Sequence, residues 1–279
     1  MPAPLVSVVV PTADRASYLE VALASIAAQE VGSHEVVVVD DGSRDSTPSV
    51  VERSGARSLR HDPARGANAA RNAGIAAAAS DLIVLVDDDI AAPPGWLRAY
   101  LDAAERHPEA DVIGGPIRAS LEGPAPRMCG REAPPVTTLD LGPDDREAEL
   151  VWSANMLVRR RAVELAGPFD ESLPTGGDEE EWLERLRAAG GRVWYAAAPW
   201  LDHRRTGDDA RLRSLMRSAY HRGRNLRAFD ARRGAEPSLS RELRVLAGCG
   251  WHTVRRACPQ GLVMGAHSLG RTVEAVRPR

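Results

Sequence analysis

Short, almost wholly apolar runs alternate with stretches of helical spacing through the first two hundred residues. Val6 to Val10, Glu35 to Val39 and Leu82 to Val86 read as strands, apolar in nearly every position as strands covered on both faces are. Between the first two, Leu19, Leu23 and Ile26 follow at steps of four and three, so they share one helical face. The alanine-rich stretch Asn68 to Ala79 is a second helix by propensity. This alternation predicts an α/β fold, a Rossmann-like, mostly parallel sheet flanked by helices. Further along, the spacing predicts a helix from Trp96 to Ala104, strands at Asp111 to Ile117 and Trp152 to Val158, a helix from Asp178 to Ala189 and a short strand from Arg192 to Ala197. Residues 118–149 are rich in Pro, Gly and charge and read as a long loop, a surface flap. Helical spacing returns at about Asp208 to Phe229 and Ser240 to Arg256, and no internal repeat is visible.

The pattern divides the chain into an α/β domain at 1–205, whose character changes between 1–117 and 118–205, and a helical C-terminal extension at 206–279. Charge follows the same division. Residues 204–279 carry 17 arginines against 6 acidic residues, whereas the whole chain has a net charge of −3. All 36 basic residues are arginine, which fits a compositional bias as well as a demand for anion binding. An arginine-rich amphipathic element can pack on its own domain or a second copy of the chain, or lie on anionic lipid. Nucleic acid ranks last, because no recognition motif accompanies the charge.

No apolar run approaches the roughly 20 residues that span a bilayer, and Met1 leads into Leu5 to Val10 without the features of a secretion signal. The expected location is the cytoplasm, with peripheral contact at the inner face of the plasma membrane through the extension. Cys129, Cys249 and Cys258 are odd in number and widely spaced, so they read as reduced structural thiols rather than as a disulfide framework or a zinc site.

Candidate chemistry gathers where the apolar strands end. Leu82 to Val86 runs into Asp87-Asp88-Asp89, three acids whose mutual repulsion a hard cation, Mg²⁺ or Mn²⁺, would relieve. The second strand ends in Asp40-Asp41-Gly42-Ser43 and the first in Pro11-Thr12-Ala13-Asp14-Arg15, groups suited to a base, a ribose or a phosphate. Ligands of open α/β sheets bind beyond the carboxyl ends of the strands, so these clusters point to one edge. Asn68, Arg71 and Asn72 share a helical face near a helix N-terminus, an arrangement that offers donors to a diphosphate.

The ordered series Val6-Ser7-Val8-Val9-Val10-Pro11-Thr12, Val38-Val39-Asp40-Asp41-Gly42-Ser43, Gly66 to Gly74 with Ala70-Arg71-Asn72 inside it, and Val86-Asp87-Asp88-Asp89 resembles the nucleotide-binding half of family 2 glycosyltransferases with the A-type fold. The resemblance continues through Ser153-Ala154-Asn155-Met156, Gly167-Pro168-Phe169-Asp170-Glu171 and Gly177-Asp178-Glu179 to about residue 205. It implies an inverting, metal-dependent transferase that moves a sugar from a nucleotide-sugar donor, a UDP-sugar first, to an acceptor hydroxyl of a glycan, a lipid-linked acceptor or a small molecule. On that resemblance Pro11, Thr12, Asp14 and Asp40 line the base and ribose pocket and Arg71 faces the diphosphate, while Arg15, Asn68, Asp87 and Asp88 are further donor-binding residues. Asp87 and Asp89 then hold Mn²⁺ or Mg²⁺ with His203 as the third ligand. Similar enzymes carry Glu-Asp where this chain has Asp178-Glu179; by alignment Glu179 is the catalytic base and Asp178 its reserve. Asn155 and Trp182 are the candidate acceptor contacts, an amide and an indole suited to a sugar face.

Two other readings share the nucleotide and the acids. A sugar nucleotidyltransferase would carry a glycine-rich loop after its first strand, which Pro11 to Arg15 lacks, and the same lack of G-x-G-x-x-G disfavours a dinucleotide oxidoreductase. A non-catalytic nucleotide-sugar binding protein would tolerate loss of the base or metal acids, and both sets are present.

Overall fold

A computed structural model describes residues 4–131, 135–173 and 175–277. In chain order its elements are β1 (Val6–Thr12), α1 (Ala16–Ala27), β2 (His34–Asp40), α2 (Thr47–Ser54), β3 (Arg57–Arg60), α3 (Ala67–Ala77), β4 (Leu82–Val86), β5 (Ile90–Ala91), α4 (Trp96–Arg106), β6 (Val112–Gly114), β7 (Ile117–Leu121), β8 (Arg146–Glu147), β9 (Asn155–Arg159), α5 (Arg160–Ala166), α6 (Asp178–Ala188), β10 (Val193–Tyr195), β11 (Leu201–Arg205), α7 (Leu212–Arg232), α8 (Leu239–Arg256) and α9 (Gln260–Ala275). The main sheet has eight strands in the order β3–β2–β1–β4–β9–β6–β10–β8. β3, β2, β1 and β4 run parallel, as do β6 and β10, while β9 is antiparallel to both β4 and β6. This is the expected mostly parallel sheet flanked by helices, with a reversed strand at its centre.

The chain resolves into two compact units. The first comprises residues 1–118, 139–174 and 178–203, the second residues 119–138, 175–177 and 204–279. In the first, β-branched side chains fill both faces of the sheet: Val8, Val9, Val10, Val37, Val38, Val39, Ile83 and Val84 are all fully buried. Leu19, Leu23 and Ile26 of α1 are buried as their spacing predicts, and α4 contributes Trp96, Leu97, Tyr100 and Leu101. α3 lies close on the sheet because Gly74 has no side chain: a Cβ there would fall 2.2 Å from Val9 Cγ1. The parallel strands put the ends of β1, β2 and β4 at one edge, and β1 lies between β2 and β4, where the chain's crossovers diverge.

The second unit is mainly helical. Leu215 and Ala219 of α7 pack with Val263 and Ala266 of α9 and with Val136. Gly223 and Gly270 allow the two backbones to touch, since a Cβ would fall 2.0 Å from His267 O at the first and 2.1 Å from Tyr220 O at the second. Arg271 donates to Glu242 and Asp230, at 2.8 Å each, and holds α9 to both α8 and α7.

Residues 118–149 are not the uninterrupted loop expected from their composition. β7 extends to Leu121, β8 occupies Arg146–Glu147, and Leu139 bridges to Ile117; 132–134 lie outside the described residues. The short edge elements escape a periodicity reading because two to five residues carry too little of a repeat.

Candidate functional site

At the end of β4 the three aspartates separate in role. Asp89 is buried and fixed from two directions, by Arg15 Nη2 at 2.8 Å and by His203 Nε2 at 3.0 Å. His203 arrives on β11, which pairs with β5 through His203 and Ile90. Asp88 accepts a hydrogen bond from Thr12 Oγ1 at 2.7 Å and lies 3.1 Å from Arg15 Nη1. Burial pushes its carboxyl up to about 7, with Asp89 and Asp87 adding to the rise and Arg15 and Thr12 opposing it. Asp87 is the more exposed of the three, and its carboxylate faces Arg71 Nη2 at 3.8 Å. One ligand atom each from Asp87, Asp89 and His203 falls within 4.8 Å of the others. Two carboxylate oxygens and an imidazole nitrogen so gathered fit Mn²⁺ or Mg²⁺, as the sequence expects of these three residues.

Arg71 links this cluster to the acids that open α6. Its guanidinium is buried, donates to Asn68 Oδ1 and Asp178 Oδ2 at 2.8 Å each, and lies 3.9 Å from Glu179 Oε1. Four side chains therefore compete for one cation. Glu179 also accepts a hydrogen bond from Ser153 Oγ at 2.7 Å. Burial raises the Glu179 carboxyl to about 7, helped by neighbouring Asp178 and opposed by Arg71 and Ser153. A carboxyl in that range, next to a fixed positive charge, has the properties of a general base at neutral pH.

The loops after β1 and β2 support each other. Asp14, with φ 54°, accepts from the backbone N–H of Arg44 at 2.6 Å, and its own N–H donates to Ser43 Oγ at 2.9 Å. Asp40 accepts from Ser43 N–H at 2.9 Å and from Arg60. Gly42 takes φ 79° where a Cβ would meet Ala64 N at 3.0 Å, so the turn requires glycine. Pro11 is the penultimate residue of β1 and reaches the same edge.

Three expectations change. Asn68 and Arg71 do not present free donors to a diphosphate: Asn68 donates to the carbonyls of Asp170 and Leu173, and Arg71 is engaged by carboxylates. Asn155 is fully buried, with its oxygen receiving Trp96 Nε1 and Tyr100 Oη and its nitrogen donating to Pro116 and Pro199 carbonyls, so it offers nothing to an acceptor. Trp182 is likewise fully buried, stacked on Phe169 at 4.8 Å with its N–H bonded to Gly167 O. Polar atoms satisfied inside a core look the same in a sequence as polar atoms aimed at a ligand.

Ser153 is a partner of Glu179 that the sequence does not single out, although it opens Ser153-Ala154-Asn155-Met156. Asp41, grouped by the sequence with a ligand-binding cluster, instead binds the N–H groups of Arg65 and Gly66 at 2.8 and 2.7 Å and lies 2.7 Å from His61 Nδ1. Burial works to raise the Asp41 carboxyl, but those hydrogen bonds prevail and hold it below its ordinary value. The loop before α3 is thus pinned by a side chain whose sequence context, Asp-Gly, is ordinary turn punctuation.

A mostly parallel sheet thus carries a buried acidic cluster and an imidazole at its carboxyl edge. Residues 7–165 match the profile of Glycosyl transferase family 2, and the chain belongs to that family. Glycosyltransferase AglE of Haloferax volcanii is 26% identical over 200 residues, covering 69% of this chain and 64% of the relative. A pre-mycofactocin glycosyltransferase of Mycobacterium tuberculosis is 31% identical over 210 residues, 71% of this chain and 42% of the relative. The chain therefore spans less than two thirds of the length of either. Among solved structures, a Pyrobaculum calidifontis mannosyltransferase, in complex with GDP-Man and Mn²⁺, shares the fold at TM-score 0.68 and 16% identity, over 98% of this chain and 87% of that one.

Proposed function

We propose that this chain is an inverting glycosyltransferase that moves a hexose from a nucleoside-diphosphate sugar, a UDP-sugar first, to an acceptor hydroxyl, with Mn²⁺ or Mg²⁺ as cofactor. The observation that carries the reading is Arg71, which joins an acidic, histidine-completed cluster at the donor edge to a buried acidic pair at the start of α6. Asp87, Asp89 and His203 would hold the cation, which when bound neutralises charge on the departing nucleoside diphosphate. Pro11, Thr12, Asp14, Arg15, Asp40 and Asp88 line the donor side. Glu179 accepts the proton of the acceptor hydroxyl, held in orientation by Ser153, and a single displacement from the face opposite the leaving group inverts the anomeric centre.

Glu179 is favoured over Asp178 because Asp178 is fully buried and its Oδ2 is taken by Arg71. The relatives' names, a glycosyltransferase and a pre-mycofactocin glycosyltransferase, support a sugar as the transferred group; the acceptor is a glycan, a lipid-linked molecule or a small molecule. The mannosyltransferase with GDP-Man and Mn²⁺ supports the donor class and the cation. The C-terminal helices supply the remaining contact, with an anionic lipid surface or a second copy of the chain.

The test is thermal stability against a panel of UDP-, GDP- and dTDP-sugars with and without Mn²⁺. A productive donor raises the melting temperature only when the cation is present, since ligand binding to the native state adds stability by mass action. Asp89→Ala should abolish that shift. A shift of undiminished size in the variant would remove the metal assignment.

A further inference from the structure

Three side chains that the sequence keeps far apart meet in the second unit. Cys129 comes from segment 119–138, His252 from α8, and Cys258 from the turn between α8 and α9. One ligand atom of each lies within 4.8 Å of the other two. Cys129 Sγ is 3.4 Å from His252 Nε2, and the backbone N–H of Cys129 donates to Cys258 Sγ at 3.2 Å. Cys258 is buried while Cys129 is exposed. Ala257, at φ 47°, reverses the chain so that Cys258 enters the turn just ahead of α9.

We propose that Cys129, His252 and Cys258 form a binding site for a thiophilic divalent cation, Zn²⁺ first, that clips segment 119–138 to the α8–α9 turn.

The donor set selects the ion: two sulfurs and an imidazole suit Zn²⁺, whereas Mg²⁺ and Mn²⁺ prefer oxygen. The geometry agrees. With Zn–S near 2.3 Å and Zn–N near 2.0 Å, tetrahedral ligands lie roughly 3.5 Å apart for a sulfur–nitrogen edge, close to the separation of Cys129 Sγ and His252 Nε2. The Cys129 N–H directed at Cys258 Sγ is the kind of outer hydrogen bond that steadies a metal-bound thiolate. Water would complete the coordination on the solvent side, where Cys129 is exposed. The site is chemically orthogonal to the acidic cluster: one is sulfur-rich and the other oxygen-rich, so two different cations can be held at once.

The spacing hides this site. Its cysteines are separated by 129 positions and its histidine stands six residues before the second, unlike the paired C-x-x-C spacing of zinc ribbons and fingers.

The experiment uses the full chain, purified under reductant and stripped with chelator, in excess Mg²⁺ to occupy the acidic cluster. Co²⁺ should produce thiolate-to-cobalt charge-transfer absorption at one equivalent per chain, lost in Cys258→Ser, weakened at least tenfold in apparent affinity in Cys129→Ser and His252→Ala, and retained in Asp89→Ala. Because Cys258 is buried and its variant can misfold, residue-resolved alkylation of the unaltered chain gives a second reading. Zn²⁺ should slow modification of Cys129 and Cys258 together at least tenfold and leave Cys249 unchanged. Absence of the band, or Zn²⁺ without effect on either cysteine, overturns the proposal. Protection that survives chelation and yields only to reductant identifies a Cys129–Cys258 disulfide and overturns it as well.

Discussion

Glu179 and Asp178 are adjacent acids with different surroundings, and substitution should separate their roles. Glu179→Gln should leave donor binding intact and cut turnover by about 10²-fold or more, the usual worth of a positioned base. Asp178→Asn removes one of three carboxylates around a buried guanidinium, so its first effect should be on stability, with a loss of about 1–3 kcal/mol in urea denaturation. The reverse pattern, full stability but no turnover in Asp178→Asn, would transfer the base assignment to Asp178. The pH profile follows from the raised Glu179 carboxyl. A base works deprotonated, so kcat/KM should rise with pH and level off above about 7, a limb absent from the residual rate of Glu179→Gln. Stability has the opposite slope: the folded state holds this proton where the unfolded chain has released it. The Glu179 contribution is therefore fully present below the ordinary glutamate range and is lost as pH rises through about 7. Which acids were present could be read from the sequence. That Arg71 would face four side chains at once could not, because its partners lie up to 108 positions away and only the fold brings them in.

At the scale of elements, packing against the sheet decides what is tolerated. Gly74→Ala should destabilise the chain by about 1–3 kcal/mol by urea titration, since the added methyl meets Val9 and the helix must lift from β1 and β2. A neutral result would mean that α3 can slide at no cost. The same physics explains what periodicity revealed. Leu82–Val86 has its expected bounds because a strand buried on both faces is apolar at every position, and α1 is where its four-three spacing places it. β3, with sequence Arg-Ser-Leu-Arg, is an edge strand in which Leu59 alone is half-buried, and one apolar residue gives no periodicity to read. The direction of β9 was equally hidden: an apolar run fits a central strand of either sense, and the reversal is set by its neighbours β4 and β6.

For the molecule as a whole, the arginine-rich helices make the most accessible prediction. Leu243, Ala247, Trp251 and Val254 follow one face of α8; Trp251 is 65% and Val254 80% exposed, and Arg255 and Arg256 adjoin them. No helix among the described residues is long and apolar enough to cross a membrane. Flotation with anionic vesicles should therefore capture the chain reversibly, fall with added salt, and weaken several-fold in the Trp251→Ser, Val254→Ser double variant. Failure to float at low salt would leave self-association as the reading of this face, which sedimentation would reveal. The last point at which the chain passes from the first compact unit to the second falls between His203 and Arg204, inside β11. A clone ended there would stop immediately after a residue assigned to the cation, leaving the strand that carries it frayed at its last position. Loss of Mn²⁺ binding by such a fragment would report the cut itself, and would say nothing about what the discarded helices do.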